Sequence, residues 1–164
     1  MSAEPDSSTR VFTLPEIAGL TTTWFLGLKL EDSSGDTVSE NFYWFSTAPE
    51  TLQWDKGTWY GTPTATYADY TALQTLPPVT LNLSSRSTDH SATVTVTNPG
   101  KSLAFAVHLK VTKDAGGEEV LPVLWEDNYF PLLPGQTRQV TATWQPRDMG
   151  KAKPVVKVDG WNVK

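Results

Sequence analysis

Apolar and polar residues alternate with a period of two in short runs bounded by Gly, Pro, Asn and Asp, the pattern of strands that bury one face against a second sheet. The alternation predicts strands over 22–30, 37–46, 79–85, 91–98, 103–112, 119–125, 137–144 and 154–158. In the fourth, Ala92, Val94 and Val96 take one face and Thr93, Thr95 and Thr97 the other. The fifth places Phe105, Val107, Leu109 and Val111 on one face. Between them Asn98-Pro99-Gly100 reads as a turn, because Pro fixes one φ and Gly accepts a positive one, and Ala115-Gly116-Gly117 reads as another. Helical periodicity is confined to a single turn over 67–73.

Short strands separated by turn signals predict an all-β chain with an immunoglobulin-like β-sandwich, complete over 78–164. An internal echo extends this reading. Gly27-Leu28-Lys29-Leu30, an acidic Gly turn, Val38 and Trp44 recur as His108-Leu109-Lys110-Val111, a second Gly turn, Val120 and Trp125, which predicts the same hairpin twice. On that basis residues 1–48 read as the C-terminal part of a second immunoglobulin-like module, and 49–77 as an ordered, aromatic-rich connection. A module without its opening strands leaves a sheet edge and one core face uncovered, so an upstream partner is expected.

Composition narrows the function classes. The net charge of -5 comes with no run of Lys or Arg that would neutralise successive phosphates, which argues against nucleic acid and against an anionic lipid surface. No apolar run approaches the roughly 18 residues of a membrane-spanning helix, and the first ten residues lack the basic and apolar stretches of a secretory signal. The absence of cysteine removes disulfides, thiolate nucleophiles and thiolate metal sites.

The titratable residues read as structural. Glu126 and Asp127 adjoin Trp125 and Tyr129, but consecutive residues of an extended chain point to opposite faces and do not converge on one glycosidic bond. Asp127 or Asn128 is expected to bond turn amides ahead of Tyr129. His90 and His108 lack a serine elbow or metal-ligand spacing, and Asp114, Glu118 and Glu119 around the Gly turn do not reproduce a calcium loop. No catalytic residue, metal ligand or cofactor is therefore assigned. Seven Trp are present, and Trp125, Trp144 and Trp161 fall on strands or at their ends, where they read as core. Trp54, Trp59 and Tyr60, with Tyr67 and Tyr70, crowd the connection. They have two readings: platforms on which pyranose rings stack, or anchors that pin a proline-stiffened connection to its neighbours, the reading favoured here. Asn82-Leu83-Ser84 is a glycosylation acceptor triplet, a weak sign of export.

Longer runs carry a family resemblance. Val11-Phe12-Thr13-Leu14-Pro15, Ile17 through Thr23, and Asn41-Phe42-Tyr43-Trp44-Phe45-Ser46-Thr47 resemble the end of the fourth domain of glycoside hydrolase family 2 enzymes of the exo-β-D-glucosaminidase type. Leu52-Gln53-Trp54-Asp55, Thr58-Trp59-Tyr60 and Tyr67-Ala68-Asp69 are similar to the segment that follows it there. Glu119 through Val123, Asp127-Asn128-Tyr129-Phe130, Leu133-Pro134-Gly135 and Val158 through Val163 resemble the final immunoglobulin-like domain, with related runs in endo-β-mannosidases. The resemblance implies a non-catalytic C-terminal accessory region of a retaining enzyme that removes glucosamine from chitosan oligosaccharides. Its catalytic glutamates would sit in an upstream TIM barrel, and no position here matches their motif. The implied partners are the catalytic and upstream domains of that enzyme, and the implied location is extracellular. The alternative function is a carbohydrate-binding module using Trp54, Trp59 and Tyr60 on a glucosamine-containing polysaccharide.

Overall fold

The computed structural model describes residues 5–164 and divides into two compact units, the first ending at Leu73 and the second running Gln74–Lys164. In the first unit, β1 (Thr23–Glu31) and β2 (Thr37–Ser46) form an antiparallel hairpin with Trp24 opposite Phe45 and Phe25 opposite Trp44. The Asp32 carboxylate accepts the amides of Ser34 and Asp36 at 2.8 and 3.0 Å, and Gly35 supplies the positive φ of 86° that closes the turn. Alternation puts Trp24, Tyr43 and Phe45 on one face, with the Trp24 and Phe45 rings 4.8 Å apart, and Phe25, Phe42 and Trp44 on the other. Tyr43 and Phe45 are exposed on the first face and Trp44 on the second. The sequence led us to expect one uncovered face; large apolar side chains are exposed on both.

The connection has strand pairing of its own. β3 (Thr51–Leu52) pairs antiparallel with β4 (Thr64–Thr66), and a 3-10 turn over Trp54–Lys56 lies between them. Runs this short carry no readable alternation. The predicted helical turn over 67–73 is a 3-10 turn at Thr71–Thr75 instead, because the Asp69 carboxylate accepts the Thr71 amide and hydroxyl at 2.9 and 2.6 Å and fixes the start there.

The second unit is a sandwich. One sheet has the order β5 (Asn82–Ser87), β6 (Ser91–Thr97), β10 (Thr137–Trp144), β8 (Val123–Trp125); the other has β11 (Pro154–Asp159), β7 (Ala104–Lys113), β9 (Phe130–Leu132). Ala92, Val94 and Val96 of β6 and Val140, Ala142 and Trp144 of β10 face Val107, Leu109, Val111, Phe130, Leu132 and Val156 across one buried cluster, while Thr93 and Thr141 stay exposed as their phase requires. A parallel bridge between Val79 and Val163 adds the segments before β5 and after β11.

Three expectations need correction. In β7, Ala104 joins the core cluster in place of Phe105, because Ala106 adopts φ 50° and the pairing with β9 slips between Ala104 and Val107. The resulting bulge puts the residues before Ala106 out of phase with those after it. The repeated hairpin is not a repeat in space: β1 and β2 pair along their length, whereas β7 meets the following segment only at the Thr112–Glu119 bridge, after which β8 joins β10 in the opposite sheet. Trp144 is core and Trp125 packs partly against it, but Trp161 is 57% exposed. At that end the neighbouring Asn162 is buried in its place, accepting the Phe105 amide at 2.8 Å and donating to the carbonyls of Pro77 and Leu103 at 2.7 and 2.8 Å.

A related knot lies beside it, on the carbonyl of Ser102, the residue before Leu103. Asn98 is fully buried; its side chain accepts the Gly100 amide at 2.9 Å and donates to the carbonyls of Ser102 and Leu132 at 2.9 and 2.8 Å. Asn98→Ala strips these partners, and Asn98→Asp cannot donate to the two carbonyls. Each should lower the stability of the second unit by about 2–3 kcal/mol, measured by urea denaturation followed by circular dichroism.

Candidate functional site

The three candidate sugar-stacking residues, Trp54, Trp59 and Tyr60, lie in the first unit on short, locally closed turns. Trp54 opens the 3-10 turn, which ends where the Gly57 amide donates to the Trp54 carbonyl at 3.2 Å. Trp59 and Tyr60 occupy the tip of a turn closed by Thr58, whose amide and hydroxyl both donate to the Gly61 carbonyl, at 2.8 and 3.1 Å. Their exposures are 75% for Trp54, 95% for Trp59 and 77% for Tyr60. The Trp59 and Tyr60 rings meet edge to face, 5.2 Å apart at 80°. Perpendicular rings do not make one continuous platform, and a flat sugar ring stacks on one of them at a time.

The acidic residues of the second unit are engaged in holding it together. Glu126 accepts the amide and hydroxyl of Thr141, both at 3.1 Å, which ties the end of β8 to β10. Asp127 pairs with Arg138 at 2.7 Å through one oxygen and accepts the Asn128 amide at 2.8 Å through the other. Asn128 reaches across to β7, accepting the Leu109 amide at 2.8 Å and donating to the Leu109 carbonyl at 2.9 Å. The expected turn-bonding role of Asp127 and Asn128 is what the geometry shows. Asp114 takes the Lys153 amide at 3.0 Å, and Glu118 pairs with Lys113 at 2.6 Å. Gly117 permits that turn, since a Cβ there would lie 1.5 Å from the Lys113 carbonyl oxygen. Among the described residues no group of three His, Cys, Asp or Glu side chains is placed to hold a metal.

The two histidines differ. His90 sits in an exposed turn, its Nδ1 2.6 Å from the Asp89 carboxylate. His108 belongs to an arrangement that sequence reasoning missed. Its Nδ1 lies 2.8 Å from one oxygen of Asp159, the Lys110 ammonium lies 2.5 Å from the other, and the Tyr129 ring stacks on the imidazole at 4.6 Å and 11°. Tyr129 is 65% exposed and its backbone stands at φ 59°, a region that a bulky residue enters only when its surroundings impose it. The β7–β11 register brings the group together by setting Asp159 opposite His108, 51 residues away in sequence. Period-two alternation alone would have placed His108 and Lys110 on one face, but it does not indicate the partner strand.

Partial burial pushes the Asp159 carboxyl up, but the hydrogen bonds from Lys110 and His108 outweigh it and hold the group below the usual aspartate range. The same contact holds the Lys110 ammonium above its ordinary value.

Against this geometry, the family model described as "Exo-beta-D-glucosaminidase Ig-fold domain" matches residues 59–163, more than half of the chain. The chain belongs to this family. It is 40% identical over 157 residues to the exo-β-D-glucosaminidase of Amycolatopsis orientalis, covering 92% of this chain and 15% of that enzyme. It is 41% identical over 160 residues to the exo-β-D-glucosaminidase of Streptomyces avermitilis, covering 92% of this chain and 17% of that one. The crystal structure of the A. orientalis exo-chitosanase CsxA superposes with a TM-score of 0.83 at 39% identity, over 93% of this chain and 19% of the enzyme. The chain thus corresponds to an immunoglobulin-fold region of exo-β-D-glucosaminidases and spans less than a fifth of the length of these relatives.

A depressed carboxylate stabilises the fold above its unfolded pKa, and that contribution disappears as pH falls through the lower folded value. Asp159 is 45% exposed at its side chain, so the effect is small, under about 1 kcal/mol. Asp159→Asn should lower the unfolding midpoint slightly at pH 6, and the gap from the parent chain should close below the ordinary aspartate range, read from thermal melts between about pH 6 and pH 2.

Proposed function

We propose that this chain is a non-catalytic accessory β-sandwich region of an exo-β-D-glucosaminidase that acts on chitosan oligosaccharides, and that it supports the domain architecture of that enzyme. The observation that carries the reading is the contrast between the units. The second buries its apolar cluster between two sheets, while the hairpin of the first exposes Leu30, Val38, Tyr43, Trp44 and Phe45. A lone two-stranded hairpin is marginal in water, and large exposed aromatics on both faces call for cover. In this reading the catalytic and upstream domains of the enzyme supply the cover, the catalytic carboxylates lie in the barrel, and the enzyme works outside the cell. The acid residues beside the aromatics of the second unit support it, because Glu126 and Asp127 are occupied in strand and loop bonds.

The test is complementation. An exo-β-D-glucosaminidase lacking the corresponding region, mixed with the 164-residue chain, should regain nitrophenol release from p-nitrophenyl β-D-glucosaminide. The double change Trp44→Ser with Phe45→Ser should weaken the rescue by roughly tenfold or more, as expected for lost apolar burial. Release by the chain alone would refute a non-catalytic role.

The exposure of Trp54, Trp59 and Tyr60 favours a second reading, a carbohydrate-binding module on the connection. Glucosamine oligomers at millimolar concentration would then change the tryptophan emission of the chain, and a Trp54→Ala, Trp59→Ala, Tyr60→Ala variant would lose that change. Unaltered emission leaves the architectural role alone.

A further inference from the structure

We propose that Tyr129, backed by His108 and flanked by Asp159 and Lys110, is a saccharide-binding platform on the second unit, distinct from the aromatic connection, and that it takes a β-linked glucosamine chain. The choice of sugar rests on the reading of the parent as a glucosaminidase; the platform rests on geometry.

A sugar platform needs an aromatic face open to solvent, a ring that does not swing, and hydrogen-bonding groups at its rim to take the hydroxyls or amine of the sugar. Tyr129 stacks on His108 at 11° through one face, and its 65% exposure leaves the opposite face to solvent. The ring is fixed from two sides. Its backbone is held at φ 59° by a chain of contacts running from Arg138 through Asp127 to Asn128, which is bonded twice to Leu109, while the Tyr129 amide donates to the Asn128 side chain at 3.0 Å. Its support, the imidazole, is held by Asp159 on the adjacent strand at 2.8 Å. At the rim, Asp159 is 45% and Lys110 30% exposed at the side chain, offering an acceptor and a donor to the same approaching molecule. A left-handed backbone at a bulky residue persists only when its surroundings over-determine it, so the direction of the Tyr129 side chain is fixed by the scaffold. A ring held in advance also loses little entropy on stacking. The acceptor at the rim suits the ammonium of glucosamine, which an acetylated sugar lacks.

The test is NMR titration of the whole 164-residue chain, following the ring protons of His108 and Tyr129. Glucosamine tetramer should shift both saturably, with half-saturation in the millimolar range, and N-acetylglucosamine tetramer should bind more weakly. Tyr129→Gly, which removes the ring while suiting the backbone angle, should weaken the response of His108 by roughly tenfold or more, and Tyr129→Phe should stay within about threefold. The Trp54→Ala, Trp59→Ala, Tyr60→Ala variant should shift as the parent chain does. Ring protons that stay put up to about 20 mM tetramer, or a His108 response that survives in Tyr129→Gly, would overturn the platform. A cello-oligosaccharide that binds where the glucosamine tetramer does not would overturn the assignment of the sugar. Because no catalysis is read, these outcomes are separate from failure of the complementation that tests the parent's activity.

Discussion

At three places where the chain leaves a sheet in the second unit, backbone amides and carbonyls without ladder partners are taken up by asparagine side chains. Asn98 bonds to the backbone of Gly100, Ser102 and Leu132, Asn128 to both groups of Leu109, and Asn162 to Phe105, Pro77 and Leu103. Asparagine suits the task because its short side chain carries an acceptor and two donors. In a chain with no cysteine, these cross-links join segments far apart in sequence, and in each case the asparagine bonds to β7 or to a segment that flanks it. The apolar cluster provides the driving force for closing the sandwich. The asparagines decide which loops can leave it without orphaning polar groups.

The first unit shows the same physics without closure. Its hairpin satisfies the backbone between β1 and β2, and its rings stack across the strands, but among the described residues of this unit no further strand pairs with or layers on β1 and β2 as β7, β9 and β11 do on β6 and β10. Hydrogen bonding and cross-strand stacking therefore do not suffice to bury this composition. The chain spans less than a fifth of the length of the relatives it matches, and the proposed reading places other domains on these faces.

Legibility followed the length and regularity of the runs. Thr137–Trp144 matched its predicted bounds because alternation persists through it, Thr37–Ser46 matched through its run of β-favouring aromatics, and the split of β6 into valine and threonine faces was readable outright. The phase of β7 was lost at Ala106, where nothing in an Ala among apolar neighbours announces a positive φ. The repeated-hairpin reading failed for a related reason: a strand that continues its own sheet and one that crosses to the opposite sheet can share the same composition, as the segment from Glu119 to Trp125 shows. Trp161 was misread because residue type puts the ring inside, whereas the neighbouring Asn162 takes the buried position by bonding Phe105, Pro77 and Leu103.

The same distinction separates the two sets of exposed aromatics. Trp54, Trp59 and Tyr60 were legible by type and crowding, since an aromatic cluster in a Pro- and Gly-containing connection stands out in one dimension. Tyr129 was legible only as the residue after an Asp-Asn turn, because its support comes from His108, Lys110 and Asp159, and strand register alone makes them neighbours. Crowding in sequence places rings on turns closed by a few local bonds, as at Thr58 and Gly61. Register places a ring on a scaffold whose every support is itself held, from Arg138 through Asp127 and Asn128 to β7. A ligand stacking on the first kind of ring pays to order it; on the second, that ordering was completed when the protein folded.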